Sequence, residues 1–261
     1  MAQITPILKK EGLDASDPSS FRPISNLNTI SKVLERLFAA RLIPHVGRSS
    51  SFNPFQSAYR LFHNTETALT RILSDAYSNI DQGKVVILIA LDLSAAFDTL
   101  EHNILLERLN HAFGISGTAL RWLTSYLDGR EQFIKIDDAT SPTTRFTVGV
   151  PQGSVLGPGL FSLFTSPIAH VISSFGIAFH QYADDTQLYI GVRAGELELS
   201  AELLNKCTVA LQDWFSNNGL CLNPSKSEAL LIGTRQRLAS TSNDINASTI
   251  KIADVQPSHQ L

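Results

Sequence analysis

Asp184 and Asp185 stand side by side between two short apolar segments, and a hairpin is the simplest way to fold that pattern. Ile177-Ala178-Phe179-His180-Gln181-Tyr182 lies upstream and Thr186-Gln187-Leu188-Tyr189-Ile190-Gly191 downstream. Both are rich in aromatic and β-branched residues, which predicts strands. The turn between them presents two negative charges at its tip. Such crowding is unfavourable unless a cation neutralises it. An exposed acidic turn explains the same residues, because Asp is common in turns. On these residues alone the two readings stand level.

A chain of 261 residues buries a substantial core, as one large domain or two closely packed subdomains. The 43% apolar and 17% charged content indicates a globular protein and excludes a disordered one. Cys207 and Cys221 form neither a disulfide framework nor a zinc pattern, which implies a reducing, intracellular setting. The stretch Met1–Pro6 lacks the long apolar segment of a signal peptide. The longest wholly apolar run, Val85–Leu91, is too short to span a bilayer, so no membrane partner is expected. Nothing separates a nuclear from a cytoplasmic location. Net charge is −3, but it is unevenly spread: residues 1–71 hold 9 basic and 5 acidic residues, the remainder 12 and 19. A basic first third suits phosphates and an acidic remainder suits metal ions, although a solvated basic surface needs no partner.

Residues 1–27 read as extended and loop-like. Helices are expected from Ser31 to about Pro44, with Val33, Leu34, Leu37, Phe38 and Leu42 on one face, and from Thr65 to Asp81. Lys84–Leu93 reads as a central strand covered on both faces. Helices come next near 101–113 and 117–128, with Gly114 a C-terminal cap. Glu131–Asp137 and Arg145–Val150 read as two alternating strands joined by a turn. Val155 to about Ser174 reads as a helix interrupted near Pro158 and Pro167. After the Asp-Asp hairpin come a helix over Glu196–Asn217 and a strand over Glu228–Ile232. Residues 239–248 are polar. The order predicts an α+β sheet with helices on one face.

Asp92 ends the apolar strand Leu88-Ile89-Ala90-Leu91. A lone Asp there could merely cap the next turn of the chain. Beside Asp184 and Asp185, it makes three carboxylates at strand ends of one sheet, enough to hold two Mg²⁺ ions. Two metals roughly 3.5–4 Å apart clamp the attacking and leaving oxygens of a phosphoryl transfer.

Four motifs then appear in order: Asp92-Leu93-Ser94-Ala95-Ala96-Phe97-Asp98, Val150-Pro151-Gln152-Gly153-Ser154, Tyr182-Ala183-Asp184-Asp185 and Leu222-Asn223-Pro224-Ser225-Lys226. Each is weak alone, but the series is specific. It resembles the polymerase motifs of reverse transcriptases. Phe21-Arg22-Pro23-Ile24-Ser25-Asn26, Gln56-Ser57-Ala58-Tyr59-Arg60 and Asp98-Thr99 resemble the non-LTR (LINE-type) retrotransposon group. The resemblance runs from about Ile4 to about Gly233.

The resemblance implies a right-hand polymerase: fingers over 1–83, a palm over 84–238 built as a ferredoxin-like antiparallel sheet backed by helices, and a polar tail over 239–261 that stops before the primer grip and thumb. It implies that Asp92 and Asp184 hold two Mg²⁺ ions, for which Mn²⁺ can substitute, assisted by the Leu93 carbonyl and by Asp185. Phe97 would stack under the sugar and clash with a 2′-OH, or else serve as a core aromatic. Gln152 and Gly153 would lie against the incoming nucleotide. Lys9 and Arg22 would grip its triphosphate, and Lys226 would protonate the leaving pyrophosphate. Gln56, Tyr59 and Arg60 would line the template path. The implied partners are an RNA template, a DNA primer and dNTPs.

The seven histidines show no metal-ligand spacing, Ser154 has no nearby base, and Trp122 and Trp214 fit helical core positions. Gly159 stands where a larger apolar residue is expected, at a cost of about 1 kcal/mol in helix propensity. The alternative to an RNA-directed DNA polymerase is a truncated, inactive remnant serving as a nucleic-acid-binding or interaction module. An RNA-dependent RNA polymerase shares the palm, but Phe97 and Pro151-Gln152-Gly153 speak against it.

Overall fold

The computed structural model describes residues 1–193 and 195–239. The polar tail from residue 240 onward lies outside the described residues. In chain order the strands are β1 (Ala2–Leu8), β2 (Phe21–Asn26), β3 (Val85–Leu91), β4 (Leu93–Ser94), β5 (Glu131–Ile136), β6 (Ala139–Thr140), β7 (Thr144–Arg145), β8 (Ala178–Tyr182), β9 (Asp185–Val192), β10 (Cys221–Leu222) and β11 (Glu228–Ile232). The main helices are α1 (Thr29–Val46), α2 (Thr65–Asp81), α3 (His102–His111), α4 (Gly117–Leu127), α5 (Gly157–Thr165), α6 (Ile168–Ser174) and α7 (Leu197–Asn217). They form two compact units, each assembled from separated stretches: Met1–Phe52 with Phe97–Phe164, and Asn53–Ala96 with the chain from Thr165 onward. No described helix is long and apolar enough to cross a membrane.

In the first unit, β1 and β2 run antiparallel from Leu8 opposite Phe21 to Gln3 opposite Asn26. Pro6 faces Pro23 in this ladder, and neither can donate a hydrogen bond to it. That weakens the strand pattern, which is why the segment reads as a loop in sequence. β5 joins the other edge of β1 in parallel, with Ala2 opposite Gln132. The strand expected over Arg145–Val150 shrinks to the two residues of β7. Beyond it, the Gly149 N–H bonds to Leu100 O at 2.6 Å and the Val150 N–H to Phe97 O at 2.8 Å. These donors are committed to the loop after Phe97, so no ladder can use them.

Helix α1 buries only part of the face its apolar stripe suggests: Leu42 is buried and Phe38 half-buried. Glu35, Ala39, Leu42 and Val46 point inward, whereas Val33, Leu34 and Leu37 are exposed. Glu35 Oε2 accepts from the Val155 N–H at 2.7 Å and the Leu156 N–H at 3.0 Å. Those N–H groups lead into α5, where a negative charge is favourable. Pro158 sits in the first turn of α5, where proline is tolerated, and therefore begins a helix instead of interrupting one. Pro167 does divide α5 from α6. A Cβ on Gly159 would meet nothing within 4 Å, so the larger residue expected there has room.

The second unit is built on one antiparallel sheet in the order β11-β3-β9-β8. Its elements run β3, α6, β8, β9, α7, β11 along the chain, the ferredoxin-like arrangement. Val86, Leu88 and Tyr189 pack under Ile72 and Ala76 of α2. Ile87 and Ile89 point the other way and are also buried, so both faces are covered, not one. A capping box starts α2: Asn64 Oδ1 accepts from the Thr67 N–H at 2.8 Å, and Thr67 Oγ1 from the Asn64 N–H at 2.9 Å. Cys207 is fully buried in α7, and burial pushes its thiol up to about 11.

Replacing Glu35 with alanine strands two N–H groups beside α5. Glu35→Ala should lower unfolding stability by about 3 kcal/mol, measured by urea denaturation. A loss below about 0.5 kcal/mol, the level of an ordinary surface change, contradicts the capping role.

Candidate active site

Asp92 occupies the break between β3 and β4, where the chain leaves the four-stranded sheet to pair with β10. Both of its main-chain groups are held. Its N–H donates to Ser227 Oγ at 3.3 Å, and its carbonyl accepts from the Asn223 N–H at 2.8 Å. Its carboxylate Oδ2 is buried and makes no hydrogen bond. Lys226 Nζ stands 3.8 Å from that oxygen, an ion pair too long to be a hydrogen bond. Lys226 belongs to a short turn, Pro224–Lys226, and its side chain is largely exposed.

Asp184 and Asp185 lie at the β8–β9 hairpin, which Tyr182 and Asp185 close as a pair. Ala183 has φ 58°, the left-handed region that residues with a Cβ enter at a cost of roughly 1–2 kcal/mol. Burial raises the Asp185 carboxyl above its usual range, and the negative charges of Asp184 and Asp92 raise it further. The three predicted carboxylates therefore lie within electrostatic reach of one another in this unit. Tyr59 is about half exposed, and its hydroxyl is pushed up by burial and by the Asp184 charge. Arg60 donates to Pro54 O at 3.0 Å. Gln56 is buried, with its amide on the backbone of Ala183.

These features suit a divalent cation. A buried carboxylate oxygen of Asp92 lacks a donor, and the Asp185 carboxyl is raised by burial and by the neighbouring negative charges. Among the described residues, no three His, Cys, Asp or Glu side chains form a ready-made ligand cluster. Mg²⁺ characteristically takes one or two carboxylates and completes its shell with water and substrate phosphate, so a closed protein cage is not required.

The other predicted residues share the first unit. Lys9 Nζ donates to Ser19 O at 2.8 Å, and Arg22 lies opposite Ile7 on the exposed face of β2. The Phe97 ring tilts onto Phe161 at 4.7 Å and is only partly buried. Gln152 donates from Nε2 to both carboxylate oxygens of Asp98 at 3.0 Å. Burial raises the Asp98 carboxyl, while this hydrogen bond and the Lys9 charge oppose the rise. Gln152 O also accepts from the Ser25 N–H at 2.7 Å. A cleft of about 240 Å³ opens here, lined by Pro23, Ser25, Asp98, Arg145 and Gln152 among others. Sequence reasoning assigned no part to Asp98, Asn223 or Ser227. Their positions inside or beside the first and fourth motifs were the available signal.

The sequence matches the family described as reverse transcriptase (RNA-dependent DNA polymerase) over residues 7–254. The chain belongs to the reverse transcriptase family. The chain is 28% identical over 235 residues to the RNA-directed DNA polymerase from mobile element jockey of Drosophila melanogaster, covering 88% of this chain and 25% of that protein. It is 28% identical over 236 residues to a probable RNA-directed DNA polymerase from transposon X-element of the same species, covering 90% and 26%. A Pol polyprotein from the type-1 retrotransposable element R2 of Popillia japonica is 28% identical over 245 residues, covering 88% and 32%. The chain thus spans about a quarter of the length of the first two relatives. Its fold is the right-hand polymerase fold seen in telomerase of Candida tropicalis. That structure, truncated from its C-terminal domain, matches with TM-score 0.63 at 13% identity, over 88% of this chain and 50% of that one.

Gly153 carries φ 108°, and a Cβ there would fall 2.9 Å from Ser25 O. Gly153→Ala should therefore push the Gln152 segment off β2, costing about 1–3 kcal/mol in unfolding stability. Hydrogen exchange should report the same event as faster exchange of the Ser25 amide. Unchanged exchange there would show that the close approach is dispensable.

Proposed function

We propose that this chain is the polymerase core of a non-LTR retrotransposon reverse transcriptase, extending a primer 3′-OH with dNTPs along an RNA template. One observation carries the reading: Asp92, Asp184 and Asp185 lie within electrostatic reach of one another at an antiparallel sheet, with Asp185 raised by burial and by the other two charges. A remnant with no catalytic role has no reason to keep this costly grouping.

Asp92 and Asp184 would hold two Mg²⁺ ions, with the Leu93 carbonyl and Asp185 completing the protein's share. When bound, such ions supply a more acidic 3′-OH and neutralise the triphosphate. The protein's own residues do the rest. Lys226 Nζ stands 3.8 Å from Asp92 Oδ2 and is exposed enough to meet a leaving pyrophosphate as its general acid. Lys9 and Arg22 are exposed cations in the basic first third, suited to phosphate as a point charge and as a planar fork respectively. Gln152 is oriented by Asp98, and Gly153 brings the backbone of the same segment close to β2. The partly exposed ring of Phe97 supplies a flat surface for a sugar and leaves a 2′-OH no room. Tyr59 offers an exposed aromatic face for a template base, with Arg60 beside it. The division into fingers over 1–83 and palm over 84–238 belongs to this proposal.

Asp184→Asn should reduce primer extension on an RNA template with Mg²⁺ by at least about 100-fold, or about 3 kcal/mol of barrier. Its thermal midpoint should stay close to that of the unaltered protein. Normal incorporation by this variant would sink the assignment. Phe97→Val should raise incorporation of ribonucleotides relative to deoxynucleotides by roughly tenfold, the scale of a steric discrimination. Equal selectivity in the two proteins removes the gate from Phe97 and leaves it a core aromatic.

A further inference from the structure

The hairpin that carries Asp184 depends on a strained residue, and its support comes from outside the hairpin. Ala183 is buried with φ 58°. Gln56 spans both sides of it. Gln56 Oε1 accepts from the Ala183 N–H at 3.0 Å, and Gln56 Nε2 donates to Ala183 O at 3.1 Å. The same Oε1 accepts from the Ala58 N–H at 3.0 Å. The amide orientation is fixed by its partners, because a flipped amide would set its own N–H groups against two backbone donors. An amide offers an acceptor and a donor at this spacing without titrating, and Gln56 is 1% exposed.

The segment around Gln56 is anchored to the strand that precedes the turn. Ser57 N–H donates to Gln181 O at 3.0 Å, and Gln181 N–H to Phe55 O at 2.9 Å, which extends β8 by a short parallel bridge. Asn53 Nδ2 donates to Gln181 Oε1 at 2.7 Å. Ser57 Oγ meets His180 Nε2 at 2.9 Å, and Phe55 packs edge-on against Phe179 at 4.9 Å. Residues 53–58 thus lie along successive residues of β8 and end at the catalytic turn.

We propose that Gln56 is a positioning residue of the polymerase, which clamps Ala183 in its left-handed conformation and so fixes where Asp184 points. This rests on the polymerase reading above, and it replaces the template contact that the sequence suggested for Gln56. Both polar atoms of the side chain are engaged within the chain, and burial keeps them from a template. Tyr59 and Arg60, farther along the same segment, are unaffected by this reassignment.

Gln56→Met keeps the length of the side chain and removes its donor and acceptor. Hydrogen exchange should accelerate at the peptide containing residues 182–185 by more than at the rest of the sheet, on top of the lower global midpoint expected from stranding the Ala183 and Ala58 N–H groups. In primer extension kcat should fall by about 10- to 100-fold, the cost of a misplaced reacting group. Template Kd and dNTP KM should stay within about twofold. In the Ala183→Gly background the same substitution should cost much less, because glycine adopts positive φ without support. A raised template Kd with unchanged exchange at the turn overturns the proposal in favour of a template contact. An equal loss with or without Ala183→Gly also overturns it. Should Gln56→Met fail to fold, Gln56→Asn carries the same comparisons, since it keeps a neutral amide that is one methylene too short to reach both backbone groups of Ala183. If the unaltered protein shows no incorporation at all, the polymerase reading falls, whereas the exchange measurement still decides whether Gln56 holds the turn.

Discussion

Like charges brought together must be held together, and this constraint organises the second unit. Asp92, Asp184 and Asp185 repel one another, at about 1–4 kcal/mol for a pair 4 Å apart in surroundings between water and a protein surface. Neutral hydrogen bonds to the main chain oppose that repulsion. Asn223 and Ser227 hold both backbone groups of Asp92, and Gln56 holds both backbone groups of Ala183. Four such bonds at about 1 kcal/mol each are of the same order as the repulsion. Restraint applied through the backbone leaves Asp92 Oδ2 without a donor, whereas a ring of side-chain donors would have occupied it.

The same logic accounts for what the sequence disclosed and what it concealed. The palm sheet was legible because its signals are local: a seven-residue apolar run for β3, alternation on both sides of Asp184-Asp185, and a strand over Glu228–Ile232 that the structure reproduces to the residue. Features set by distant partners were not legible. The β1–β2 pair is disguised by Pro6 facing Pro23. The Arg145–Val150 strand dissolves because Leu100 and Phe97 take its donors. On α1, Glu35, a residue whose charge predicts exposure, is turned inward and held by N–H groups 120 and 121 positions away, while Leu34 and Leu37 are left exposed.

Site residues divide along similar lines. The carboxylates declare themselves through motif order, since their chemistry tolerates few substitutes. Gln56 is a polar residue beside Tyr59 and Arg60, and that company suggests a nucleic-acid surface; its burial comes only from the course of residues 53–58 along β8. In the first unit, Asp98 gains meaning through Gln152, 54 positions later.

Each unit is assembled from stretches that other parts of the chain separate, and this has a consequence for how the molecule is made. In the palm-like sheet Ala90 pairs with Glu228, 138 positions further on. During synthesis β3 therefore emerges long before either of its neighbours, β9 and β11, exists. A run as apolar as Val85–Leu91 must then stay out of trouble with both edges open, the situation in which nascent strands associate wrongly. Closure of such non-local pairings is intrinsically slow. The topology that brings Asp92 to an aspartate pair 92 positions later thus leaves the central strand vulnerable before folding ends.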